Sequence, residues 1–201
     1  MKKCLPLVLL CMLAVSGRAQ ADPVLYTAVL TGGAENPPNA SAGIGFTLVG
    51  YDPVARTLEV LGGFTNLTTP TVAAHIHCCV EPPGNVGVAS PVPSLPGFPH
   101  GVTSGVFSTL LDLTNASSFN PGFLASAGGT TLAAELALAE GLALGQAYFN
   151  IHTAQFPGGE IRGFFAPAPA PIPEPATVLL VGGAAGALAC ARRRRRQHRR
   201  T

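Results

Sequence analysis

Three histidines and two adjacent cysteines carry most of the chemistry this sequence could do. His75-Ile76-His77 is followed directly by Cys78-Cys79. Side chains alternate along a strand, so His75 and His77 would share one face. Imidazoles on one face can chelate ions such as Zn²⁺ or Cu²⁺. A third histidine, His152, ends the strand-like run Ala147-Tyr148-Phe149-Asn150-Ile151-His152 and could complete the site. Cys78 or Cys79 could add a thiolate, which would favour softer ions such as Cu(I). His100 would be a fourth ligand only by analogy. The alternative is structural: half-buried rings bonded to loop carbonyls or to Glu160, with no cofactor bound. The sequence alone prefers that alternative, and the protein is expected to be non-enzymatic.

The cysteine pair divides in the same way. Neighbouring Cα atoms lie about 3.8 Å apart across a trans peptide, whereas ordinary disulfides span roughly 4.4–6.8 Å. A bond between Cys78 and Cys79 would close a strained vicinal ring, so no conventional disulfide framework is expected. The pair reads as two small buried hydrophobes, a redox switch or soft-metal ligands. Glu160 and Arg162 share one face of the last expected strand, and a surface ion pair is the default for them. No P-loop, GxSxG, HExxH or EF-hand spacing is present.

The two ends read as addresses. Lys2 and Lys3, an apolar run from Leu5 to Val15 and Ala19-Gln20-Ala21 form a secretory signal over residues 1–21. Cys4 and Cys11 would leave with it. At the other end Pro173-Glu174-Pro175 precedes an apolar run, Ala176 to Ala191, and then Arg192, Arg193, Arg194, Arg195 and Arg196. Read physically, the run is a hydrophobic anchor helix and the arginines hold its end in the cytoplasm. These three parts in order resemble the PEP-CTERM sorting signal of bacteria with two membranes. The resemblance implies transient anchoring in the inner membrane and recognition by an exosortase-type transpeptidase. Processing near Pro173 to Pro175 and display at the cell surface or outside it would follow.

Between the two addresses lies one domain's worth of chain, residues 22–165, followed by an Ala/Pro linker, 166–172. From Asp22 to Ala170 two cations, Arg56 and Arg162, stand against nine carboxylates, a net charge of −7 with histidines neutral. An acidic domain without a basic patch is a poor partner for nucleic acid.

Strand signals recur over 24–31, 43–51, 57–64, 72–77, 102–113, 147–152 and 160–165, separated by Gly/Pro-rich turns. Residues 81–101 form a long loop. Leu132, Leu136, Ala139 and Ala143 recur at helical spacing, which predicts one short helix over 131–144 ended by Gly145. The pattern predicts an all-β fold, an antiparallel Greek-key-like sandwich with one short helix.

Gly32 to Pro38, the Ala74-His75-Ile76-His77 run and the Asn150-Ile151-His152-Thr153 run continuing to Glu160-Ile161-Arg162-Gly163 together resemble the CHRD domain. That resemblance implies an extracellular β-sandwich binding or structural module without established catalytic residues. Exopolysaccharide or other envelope proteins are its expected partners. An HxH strand with a later histidine also loosely resembles copper/zinc superoxide dismutase, although that enzyme's metal-bridging and loop residues are not evident.

Overall fold

A computed structural model describes residues 22–169 of the chain. The expected signal segment (1–21), the sorting motif at Pro173-Glu174-Pro175, the anchor helix and Arg192 to Arg196 lie outside the described residues. Among the described residues no helix is long and apolar enough to cross a membrane.

The expected strands form as β1 (Val24–Thr31), β2 (Ile44–Asp52), β3 (Thr57–Thr65), β4 (Thr71–His77), β5 (Gly105–Asp112), β6 (Tyr148–Thr153) and β7 (Ile161–Phe164). A short β8 (Ala166–Pro167) pairs with Tyr26 and Thr27 of β1, so the start of the expected linker is pinned to the sheet. All pairings are antiparallel, and the strand order is β4-β6-β7-β1-β2-β3-β5. The all-β expectation holds, as one continuous curled sheet that encloses its core as the two faces of a sandwich do. Its two edges meet. Thr71 N–H donates to Val102 O at 2.9 Å and Gly101 N–H donates to Thr71 O at 2.9 Å. The Phe107 ring of β5 stacks on Phe149 of β6 at 5.2 Å.

Alternation selects the core. Leu30, Val49, Leu58, Val60, Ile76, Phe149, Ile151 and Ile161 point inward and are essentially fully buried. On β4 and β6 the opposite face therefore carries His75, His77, Asn150 and His152. In the β2–β3 turn, Asp52 Oδ1 accepts from the Val54 and Ala55 amides at 2.8 and 2.9 Å.

Two α-helices follow β5 where one was expected: α1 (Pro121–Ser126), started by Pro121 behind the Asn120 cap, and α2 (Thr131–Ala143). The second is the expected helix, capped by Thr130 Oγ1 and ended at Gly145 in the left-handed region, φ +69°. Its buried face differs from the expectation. Leu132 and Leu136 are exposed, while Ala134, Glu135, Leu138, Gly141 and Leu142 are buried. Glu135 can be buried because it is fully partnered. It accepts from Tyr51 Oη at 2.9 Å and from Arg56 Nε at 2.6 Å, which ties α2 to the β2–β3 hairpin. Burial and the bond to Glu135 push the Tyr51 phenol up to about 12.

Candidate metal centre

Antiparallel register brings the three histidines together. β4 and β6 pair Ala73 with His152, His75 with Asn150 and His77 with Tyr148. The imidazole centroids of His75, His77 and His152 lie 5.2, 5.9 and 6.0 Å apart. One ring nitrogen from each lies within 4.8 Å of those from the other two. His75 and His77 are buried and His152 is half-buried.

Each ring is oriented by one backbone carbonyl. His75 Nε2 donates to Pro93 O at 2.8 Å, His77 Nδ1 to Val86 O at 2.8 Å, and His152 Nδ1 to Pro157 O at 3.0 Å. A carbonyl can only accept, so each of these nitrogens must carry the proton. The other nitrogen of a neutral ring then presents a lone pair. His75 Nδ1, His77 Nε2 and His152 Nε2 are all buried and have no hydrogen-bond partner among the described residues. Buried polar atoms are seldom left unpaired, and three in one histidine cluster call for an explanation.

Burial favours the neutral form of all three rings. Burial lowers all three, His77 down to about 4, against the opposing pull of their carbonyl partners. Neutral imidazole with its one N–H donated to a carbonyl is the state in which histidine binds a metal. An ion at about 2.0–2.1 Å from each nitrogen would space them about 3.4 Å apart. The cluster is therefore close to a three-nitrogen site and needs only a modest closing of the rings.

Other expected ligands do not join. Cys78 and Cys79 are bonded to each other as a vicinal disulfide, so neither offers a thiolate. Cys78 faces the core and is buried, on the side away from His77. The exposed His100 bonds Val72 O through Nδ1 at 3.0 Å and packs against Phe98, apart from the cluster.

Glu160 and Arg162 also differ from the expectation, because Gly/Pro-rich loops cover that face. Both are buried, at 0% and 1% exposure, and they do not pair with each other. Glu160 accepts from Ser41 Oγ, the Thr68 amide and Thr153 Oγ1, each at 2.6 Å. Burial raises the Glu160 carboxyl, but those hydrogen bonds outweigh it and hold the group below its usual range. Arg162 donates to the carbonyls of Ala34, Pro83 and Gly84 and to Asn85 Oδ1. It thereby clamps residues 83–85, just before the Val86 that orients His77. Its guanidinium lies 4.9 Å from the centroid of Tyr148, whose ring stacks on His77 at 4.7 Å.

Sequence reasoning missed Tyr148 as a wall of the site. The signal was present, since Tyr148, Asn150 and His152 alternate on one strand. The three loop carbonyls carried no such signal.

The histidines give the metal-free protein an acid-labile stability. A group whose folded pKa is depressed contributes stability that is present above its unfolded value and lost as pH falls through the folded one. For His77 that window runs from about 6.5 to about 4. At about 1.36 kcal/mol per pH unit the contribution is on the order of 3 kcal/mol. Glu35 works the other way. Burial raises it to about 7, against the pull of Arg162, so its contribution is present below about 4.5 and fades towards 7. Three imidazoles oppose one carboxyl, so the metal-free chain is expected to lose stability from pH 6.5 to 4. Glu35→Gln should steepen that loss. Denaturant midpoints measured across this range check it, and a midpoint that rises on acidification would contradict it.

The CHRD domain family model matches residues 26–165, which take in most of β1, all of β2 to β7 and all three histidines. No curated protein and no solved structure matches the chain.

Proposed function

The chain belongs to the CHRD domain family, and on that premise we propose that it is a binding module whose His75, His77 and His152 hold one transition-metal ion, copper or zinc. The single observation that carries this reading is a cluster of three imidazoles, each with one buried, unpartnered nitrogen and the opposite nitrogen fixed by a carbonyl. A set of rings used only as buttresses would not need its free nitrogens to meet. Imidazole suits both ions, and at equal availability Cu²⁺ binds such a set more tightly than Zn²⁺. Three protein ligands leave a fourth position for water or a small ligand. Titration of the chain with Zn²⁺ tests this, with saturation at about one ion per chain expected. No uptake by the folded chain would refute it.

The tail sequence supports a setting for this module. It is exported, anchored through the apolar run before Arg192 to Arg196, and sorted by an exosortase-type transpeptidase at Pro173-Glu174-Pro175. Its place is then the cell surface or extracellular matrix, among exopolysaccharide and other envelope proteins. Cell fractionation of a chain lacking residues 171–201 checks this, and unchanged sorting would rule it out.

A further inference from the structure

We infer that Cys78–Cys79 is a thiol–disulfide exchange site for an external dithiol, and that its redox state sets how firmly the metal centre is held. The coupling rests on the metal reading proposed for His75, His77 and His152.

The disulfide immediately follows the ligand His77. Cys79 is exposed and Cys78 is buried, so an incoming thiolate can reach only the Cys79 sulfur. That attack breaks the S–S bond, and Cys78 Sγ leaves as a thiolate and takes a proton from solvent. The second thiolate of the reagent then attacks its own sulfur in the mixed disulfide and expels Cys79, which is also protonated. The reagent ends as a disulfide, and two electrons and two protons have passed to the cysteines.

The bonded pair sits against α2. A Cβ at Gly141 would collide with both Sγ atoms, and Cys79 Sγ lies 3.4 Å from Ala137 O. Bonded sulfurs are about 2.05 Å apart, whereas atoms in van der Waals contact need about 3.5–4 Å. Two separate thiols therefore cannot both keep the seat over Gly141, so opening the bond displaces at least one of them or shifts α2 or the end of β4. That end is also joined to the loop that orients His77. Cys78 N–H donates to Gly87 O at 3.4 Å, His77 forms an isolated bridge with Val88, and His77 Nδ1 donates to Val86 O. A shift at Cys78 passes directly into the partner that fixes the His77 ring, and outer-shell changes of this kind cost about 10–100-fold in metal affinity.

The test treats the folded full chain with dithiothreitol, removes the reagent without air, and titrates with Zn²⁺, which does not reoxidise thiols. Two newly alkylatable thiols in the 78–79 peptide and Zn²⁺ affinity about tenfold weaker are expected. C78A/C79A should show the weaker affinity whether or not dithiol is added, which separates the seat from direct thiol ligation. Gly141→Ala should weaken binding in the oxidised chain. Failure to gain the two thiols overturns the exchange site. Unchanged affinity after reduction overturns the coupling while the metal centre stands. No Zn²⁺ uptake in either state overturns the metal reading, and the coupling with it.

Discussion

Arg162→Met is expected to cost about 3–5 kcal/mol of folding free energy, the range for removing one partner from a buried charged network. The side chain is 1% exposed, so solvent cannot replace it. Its Nε donates to Ala34 O at 2.6 Å, one terminal nitrogen to Asn85 Oδ1 at 2.6 Å and Gly84 O at 3.3 Å, and the other to Pro83 O at 2.7 Å. Glu35 Oε2 lies 3.7 Å from Nε. Methionine keeps much of the volume but leaves three carbonyls, an amide oxygen and a carboxylate without this donor. The carbonyls dominate that cost, because Glu35 rises to about 7 and can accept a proton instead. Against a total of roughly 5–15 kcal/mol, the loss would leave the domain marginal. Denaturant midpoints measure it, and a loss below about 1 kcal/mol would mean that the clamp is redundant. Zn²⁺ affinity should fall in the same variant, since residues 83–85 lead into Val86.

Metal binding has the other large expected effect. At a free concentration 100 times its dissociation constant, an ion that binds only the folded chain adds about 2.7 kcal/mol. For a domain of this size that raises the unfolding temperature by roughly 5–10 °C. On the proposed metal reading each of His75→Ala, His77→Ala and His152→Ala removes a direct ligand, so affinity should fall beyond the 10–100-fold typical of outer-shell partners. The triple variant should gain nothing from Zn²⁺. Its metal-free stability separates the two roles of the rings. Each substitution gives up one carbonyl hydrogen bond, worth about 0.5–1.5 kcal/mol, and also removes an unpartnered buried nitrogen, which partly offsets that loss. Rings acting only as buttresses would give large losses in the metal-free chain and no response to Zn²⁺ in the parent.

Much of this architecture was legible in the sequence, and the parts that were not share a cause. Runs of strand-forming residues between Gly/Pro turn signals marked β1 to β7. Strand alternation put His75 and His77 on one face, and His152 stood on another expected strand from which it could complete a site. Local pattern failed where distant partners decide. Glu135 belongs to the buried face of α2 because Tyr51 and Arg56, about eighty residues earlier, satisfy its carboxylate. Arg162 is buried because loop carbonyls at 34 and 83–84 close over it. The tautomers of the three histidines are fixed by Val86, Pro93 and Pro157, which lie in irregular segments without periodicity. Spacing left open whether Cys78 and Cys79 bond to each other, and a glycine on another element leaves room for the bonded pair.

The most direct test of the central claim is elemental analysis of the exported chain, isolated without an affinity histidine tag, beside its His75/His77/His152 triple alanine variant. About one copper or zinc per parent chain, and none in a folded triple variant, is the predicted result. A folded parent without bound metal that also takes none up from solution, or a triple variant with the same metal content, would contradict it.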